Sequence, residues 1–275
     1  MVFSKTRTSV QVKTEPEIAK MRAAGQIVAR TLDTLRSAVR PGITTLDLDA
    51  IAEHSIREAG AVPSFKGYYG FPGSICASVN EEVVHGIPRS DKVLREGDLI
   101  SIDCGAILDG WHGDSAITVA VGEVTEEERT AMQVCEQAMW QGIAAMLPGN
   151  RLADIGHAIE SYIDSRGSYG NVHEYGGHGI GTEMHMEPHV LNYATQRKGI
   201  RLVRGMCLAI EPMVNLGQRH VAQLDDGWTV VTQDGRKSTH FEHSVAITDD
   251  GPRVLTARDE NLATIAERGW PHPDG

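Results

Sequence analysis

The chain contains no run approaching the roughly 18 apolar residues of a membrane-spanning helix. Its first segment, Met1 to Glu17, mixes Lys5, Arg7, Lys13 and Glu15 with Ser and Thr where a leader would need an apolar core. Neither a membrane span nor a secretory leader is therefore expected. Cysteine is sparse: Cys76, Cys104, Cys135 and Cys207 are scattered through 275 residues with no Cys-x-x-Cys pair. That spacing argues against a disulfide scaffold and a zinc ribbon, and it fits a reducing cytoplasm. Positive charge is short as well. Twenty-six Lys and Arg against 37 Asp and Glu give a formal charge of −11, without a block of five like charges. Neither a nucleic-acid scaffold nor a basic membrane-surface binder is expected on that ground. No Gly-x-Ser-x-Gly elbow, P-loop or post-strand Gly-x-Gly-x-x-Gly occurs, so serine-hydrolase, NTPase and Rossmann readings lack support.

What the sequence does contain is an internal repeat. Thr14-Glu15-Pro16-Glu17 has capping-box spacing with Pro in the first turn, followed by an apolar face of Ile18, Met21, Val28, Leu32, Leu35 and Val39 that stops at Arg40-Pro41-Gly42. A second helix from about Thr45 ends at Gly60. The same order returns from Thr125-Glu126-Glu127-Glu128. A shift of 107 places superposes Pro41-Gly42 on Pro148-Gly149, Asp47 on Asp154, Glu53 on Glu160, Ile56 on Ile163 and Gly60 on Gly167. A shift of 108 carries Gly97-x-Leu99-Ile100-x-Ile102-Asp103 onto Gly205-x-Cys207-Leu208-x-Ile210-Glu211. His-Gly-Ile also occurs once per half, at His85 and at His178, although with a different shift. Duplication about a pseudo-two-fold axis is expected to give an α+β fold, with a mainly antiparallel sheet covered by helices on one face. Asp-Gly at 109, 226, 234 and 250 punctuates short β-rich runs, in keeping with that arrangement.

Charged residues in apolar strands point to chemistry. Asp103 and Asp114 flank a turn, so a hairpin brings them within reach of one centre. Glu211 lies within Leu208-Ala209-Ile210-Glu211-Pro212-Met213-Val214, and Glu242 within His240-Phe241-Glu242-His243-Ser244-Val245. An unpaired charge in such a strand costs several kcal/mol, and the only nearby cations are Arg236 and Lys237. Four interior carboxylates with so few cations imply a metal. His178, in Gly176-Gly177-His178-Gly179-Ile180-Gly181, adds an imidazole on a backbone that permits close approach. Together these five residues suffice for two divalent ions if Asp114 and Glu242 bridge.

From about Pro16 to Leu255 the sequence resembles the type I methionine aminopeptidases. The resemblance is carried by Ser78-Val79-Asn80-Glu81-Glu82-Val83-Val84-His85-Gly86-Ile87-Pro88, Ser101-Ile102-Asp103-Cys104-Gly105, Gly110-Trp111-His112-Gly113-Asp114-Ser115, Gly177-His178-Gly179-Ile180-Gly181 and Ile210-Glu211-Pro212-Met213. It implies the duplicated "pita-bread" fold. It also implies one catalytic domain over 16–255 with pseudo-repeats at about 16–122 and 123–250, between a short arm (1–15) and a tail (256–275). Asp103 and Asp114 would hold one metal, His178 and Glu211 the other, with Asp114 and Glu242 shared. His85 would contact the substrate amine and departing nitrogen, His185 would polarise the scissile carbonyl, and Glu211 would take or relay a proton.

The implied reaction is removal of the initiator methionine from nascent chains whose second residue is small, by attack of a metal-bound hydroxide on the first peptide bond. The family pattern places the methionine pocket at Tyr68, Phe71, Cys76 and Trp228, with Phe65 near the entrance. Phe71 stands where many relatives have Tyr, and Phe65 where some have Cys. Cobalt, manganese, iron or zinc would suit the donors. A monomer in transient contact with the ribosome, acting in the cytoplasm and binding neither DNA nor membrane, completes the expectation.

Overall fold

The computed structural model describes residues 10–275. Residues 1–9 of the expected N-terminal arm lie outside the described residues. The first half runs α1 (Glu15–Ala38), α2 (Thr45–Glu58), β1 (Val62–Pro63), β2 (Ile75–Val79), β3 (Glu82–Val84), β4 (Leu99–Leu108) and β5 (Trp111–Ala120). The second runs α3 (Glu126–Ala144), α4 (Leu152–Asp164), β6 (Gly170–Asn171), β7 (Gly177–Gly179), β8 (Met186–Val190), β9 (Cys207–Ile210) and β10 (Met213–Asn215). It continues with β11 (Val221–Gln223), β12 (Val230–Thr232), β13 (Ser238–His240), β14 (His243–Thr248), β15 (Gly251–Val254) and a terminal α5 (Asn261–Glu267).

The repeat positions have a local physical role that is the same in both halves. Asp47 and Asp154 each occupy the third helical position and accept from the N-cap amide, of Thr44 at 3.0 Å and of Arg151 at 2.7 Å. Gly42 and Gly149 both take the left-handed conformation, at φ +90° and +94°. Their amides donate to the carbonyls of Leu94 and Leu202 at 2.8 and 3.0 Å. Such turns strongly favour glycine, which explains why these punctuation marks recur.

The two His-Gly-Ile tripeptides, in contrast, do not correspond. β2 pairs with β4 so that Val79 faces Ile100, and β7 pairs with β9 so that Gly179 faces Leu208. Because Ile100 maps onto Leu208, the counterpart of Gly179 is Val79. His85 instead follows β3, in the left-handed region at φ +60°.

Every strand pair is antiparallel. The sheet is not continuous, however. Hydrogen bonding divides it into β1-β4-β2 with β5 on β4, β15-β14-β9-β7-β8, and two three-stranded pieces, β13-β10-β6 and β11-β12-β3. The two larger pieces meet where Glu242 N donates to Ala116 O at 3.0 Å and Ala116 N to Glu242 O at 3.4 Å. This junction between the halves lies two residues from Asp114.

Helix α1 buries Ile18, Met21, Val28, Leu32 and Leu35 against the sheet, each contributing about 1.5–3 kcal/mol. At Gly25 it comes so close to β5 that a Cβ on Gly113 would sit 2.7 Å from Gly25 N. The strand that carries Asp114 is thereby fixed by backbone contact. All four cysteines are free and buried, and no helix among the described residues is long and apolar enough to cross a membrane. Past the core strands, the tail is tied to α1 by Arg22, which contacts Asp274 at 2.8 Å.

Candidate metal centre

The β4–β5 hairpin pairs Asp103 with Ala116 and Gly105 with Asp114. The two aspartates are therefore diagonal neighbours on one face. In the second half, β9 and β14 pair Ile210 with His243, and Glu211 and Glu242 occupy the next positions beyond that pair. Each half thus contributes two carboxylates from adjacent strands. His178, on β7, has no counterpart among them and makes the site asymmetric.

Asp114, His178 and Glu242 are 3, 6 and 1% exposed, and one ligand atom from each lies within 4.8 Å of the others. His178 Nε2 is 3.4 Å from Glu211 Oε1 and 3.7 Å from Asp114 Oδ2. Its Nδ1 donates to the Gly179 carbonyl at 3.0 Å, so Nε2 is the nitrogen turned to the carboxylates. Asp103 Oδ1, Asp114 Oδ1 and Glu242 Oε1 are buried and meet no hydrogen-bond donor among the described residues. Lys237 and Arg236, the nearby cations, are engaged with Glu128 and Glu127. Convergent, unpartnered hard oxygens with one imidazole are a donor set that fits divalent cations.

The electrostatics agree. Burial, reinforced by neighbouring carboxylates, pushes Asp103 and Glu242 well above the usual carboxyl range, and burial also raises Asp114. Burial works against the Glu211 carboxylate too, but His240 and His178 hold it below its ordinary value. A group whose folded pKa is raised contributes stability below its unfolded pKa and loses it as pH rises through the folded one. Metal-free protein is therefore expected to be destabilised by Asp103 and Glu242 on going from mildly acidic to neutral pH. Loading at neutral pH should release on the order of one proton. Calorimetric loading in buffers of different ionisation enthalpy checks this, and a heat independent of buffer would contradict it.

These residues form the floor of a cleft of about 1000 Å³, which is also lined by Phe65, Tyr68, Phe71, Cys76, His85, His185 and Trp228. Phe71 and Trp228 pack edge to face at 5.1 Å, and Trp228 lies 6.3 Å from the His85 ring. His185 is 4.4 Å from His178, ring to ring. Burial lowers His85, and burial together with the charge of His178 lowers His185 to about 4. Both imidazoles are therefore neutral near pH 7. His85 keeps its left-handed backbone despite the cost of that conformation to a non-glycine residue, a form of strain that clusters at functional sites.

Several residues in and behind the cleft were not anticipated. His240 Nε2 lies 3.7 Å from Glu211 Oε2. Its spacing two residues before Glu242 was the available signal, since strand alternation puts i and i+2 on one face. His112, lowered to about 4 by burial and by His178, is bonded to Ser64 at 3.0 Å. Ser244 Oγ clamps the main chain of Asp114, accepting from its amide at 3.1 Å and donating to its carbonyl at 2.8 Å. Tyr175 packs on His85 at 5.6 Å. Nothing in the local sequence marks these last contacts.

A mainly antiparallel duplicated fold with a buried carboxylate–imidazole cluster at a cleft floor defines a class of metal-dependent hydrolases. The sequence model of metallopeptidase family M24 matches residues 19–249, and the chain belongs to that family. It is 53% identical over 245 residues to the methionine aminopeptidase of Clostridium acetobutylicum, covering 89% of this chain and 98% of that protein. It is 51% identical over 255 residues to methionine aminopeptidase 1 of Mycobacterium tuberculosis, covering 91% and 96%. Among solved structures, methionine aminopeptidase from Thermotoga maritima superposes with a TM-score of 0.89 at 41% identity, covering 91% of this chain and all of that one. The relatives at these identities and coverages are methionine aminopeptidases.

Proposed function

We infer that the protein is a metal-dependent aminopeptidase that hydrolyses the first peptide bond of chains beginning with methionine, uses two divalent ions, and requires a small second residue. The observation that carries the reading is the convergence of Asp103, Asp114, His178, Glu211 and Glu242 beneath a cleft walled by rings and a thiol. Asp103 and Asp114 would hold one ion and His178 and Glu211 the other, with Asp114 and Glu242 shared. Divalent cations held there would supply an activated water near neutral pH and a site for a free α-amine, which an internal peptide bond lacks. Manganese, iron, cobalt and zinc all suit this donor set.

The chain's own residues supply the rest. Glu211 accepts the proton of the attacking water and passes it towards the departing nitrogen. His85, neutral and set by its strained backbone, contacts the amine end. His185, also neutral, donates to the scissile carbonyl and stabilises the charge that develops on its oxygen. Phe71, Trp228, Tyr68 and Cys76 enclose the methionine side chain, with Phe65 beside them, because rings and sulfur suit a polarizable, unbranched thioether. The same reading gives nascent chains as substrates, met at the ribosome by a cytoplasmic monomer.

The substrate rule is tested by kcat/KM for Met-Ala, Met-Leu, Leu-Ala and norleucine-Ala peptides. Met-Ala should exceed Met-Leu by on the order of a hundredfold, since a misplacement of about 1 Å costs that much. Norleucine-Ala should follow Met-Ala more closely than Leu-Ala does. Equal turnover of Met-Ala and Met-Leu would refute the second-residue requirement, and preference for Leu-Ala would make this a general aminopeptidase.

A further inference from the structure

We infer that Tyr68 is a positioning residue whose hydroxyl donates a hydrogen bond to His185 Nδ1 and so leaves a protonated Nε2 to face the substrate. The inference rests on the reading of His185 as the group that meets the scissile carbonyl. The Tyr68 hydroxyl lies 2.9 Å from His185 Nδ1, across 117 positions of sequence. The bond joins a turn of the first half to a loop of the second, and both rings line the cleft.

The direction of the bond decides what His185 can do. A neutral imidazole carries one proton and one lone pair. If Nδ1 accepts from the phenol, Nε2 carries the proton and can donate to a carbonyl oxygen as negative charge builds on it. If Nδ1 donates instead, Nε2 presents a lone pair to that oxygen and repels it. The phenol carries a proton at neutral pH, since tyrosine ordinarily titrates at about 10, and burial and the neighbouring Tyr69 only raise it. The second nitrogen of a histidine is commonly set by the hydrogen bond that the first one makes.

The turn that presents Tyr68 is tightly specified. Gly67 and Gly70 have φ of +86° and +88°, and between them Tyr69 is held at +47°. Gly67 N donates to Phe71 O at 2.8 Å and Phe71 N to Tyr68 O at 3.0 Å, closing the loop on itself. Left-handed backbone at a non-glycine residue persists where the surroundings over-determine it. Here it fixes the position of the phenol relative to His185.

The test uses Tyr68→Phe, which keeps the ring and removes only the hydroxyl. On Met-Ala peptides, kcat should fall on the order of tenfold, as for the loss of one hydrogen bond, while KM changes little, because the ring still lines the cleft. In ¹⁵N–¹H correlation spectra of the metal-free wild type, the His185 proton should reside on Nε2, with Nδ1 shifted as a hydrogen-bond acceptor. That Nδ1 shift should be lost in Tyr68→Phe. A raised KM with unchanged kcat would overturn the proposal and make Tyr68 a packing residue only, as would a wild-type spectrum with the proton on Nδ1. The spectra do not depend on activity. If the wild type shows the expected signature but does not cleave Met-Ala, the hydrogen-bond assignment stands and the methionine reading falls.

Discussion

Asp114→Ala and Glu242→Ala are each expected to lower activity by on the order of 10³-fold or more, since losing even one preorganised donor costs about 10²–10³. They should also reduce the metal bound at saturation below two per chain, because a shared carboxylate serves both ions. Folding should survive. The Asp114 main chain is clamped by Ser244 and its strand by the Gly25–Gly113 contact, neither of which involves the side chain. Removing Glu242, which faces other carboxylates, also relieves repulsion in the metal-free protein, whereas Asp114 has His178 Nε2 at 3.7 Å as a partner. Reduced stoichiometry by calorimetric titration in both variants, with a melting temperature of metal-free Glu242→Ala at or above wild type, is the expected pair of results. Undiminished binding of two ions by either variant would rule out the shared role.

His85→Ala and His185→Ala are expected to leave metal content intact and to lower kcat by about 10²–10⁴-fold, the range of a positioned acid–base or electrostatic group. Both side chains stand beside the carboxylate cluster, and neither belongs to the Asp114–His178–Glu242 grouping. For His85 the backbone complicates the comparison, because φ is +60°. Asn tolerates the left-handed region better than other non-glycine residues, so His85→Asn separates loss of the imidazole from loss of the backbone shape. Metal analysis after dialysis decides between the roles: a histidine variant that loses an ion identifies that histidine as a ligand.

The carboxylates were legible because each breaks a local rule. Asp103, Glu211 and Glu242 are charged residues in apolar strands, and the 108-residue shift that maps Asp103 onto Glu211 predicted equivalent strand ends. In the structure only Glu211 follows a strand end: Asp103 lies within β4, because β4 continues into its hairpin with β5, and Glu211 and Glu242 lie just beyond the Ile210–His243 pair of β9 and β14. Helix boundaries were readable for the same kind of reason, since Pro-Gly and capping-box residues satisfy backbone groups within a few positions. Contacts across long stretches of chain were not. The Tyr68–His185 and His112–Ser64 bonds, and the Ser244 clamp, join segments 48 to 130 positions apart. No local periodicity encodes such pairs.

The proposed methionine pocket rests on family resemblance. Tyr68, Phe71, Cys76 and Trp228 look like ordinary core residues when taken one at a time. The tripeptide shared by His85 and His178 shows the opposite failure. Identical letters suggested equivalence, but strand register separates the two by assigning Val79 to the place of Gly179. Register depends on pairing across the sheet, which a three-residue match does not contain. The division of the expected sheet into four hydrogen-bonded pieces has a related origin, because β6, β7, β10 and β13 are only two or three residues long.

The central claim is that the buried carboxylate–imidazole cluster holds metal for removal of a first methionine. It is tested most directly by following free methionine released from Met-Ala-Ser and from its N-acetylated form, after chelation and then on stepwise return of manganese or cobalt. The account predicts no release after chelation, restoration that saturates as the cluster fills, and none from the acetylated peptide at any metal concentration. Release that persists in chelator, or equal release from the acetylated peptide, would contradict it.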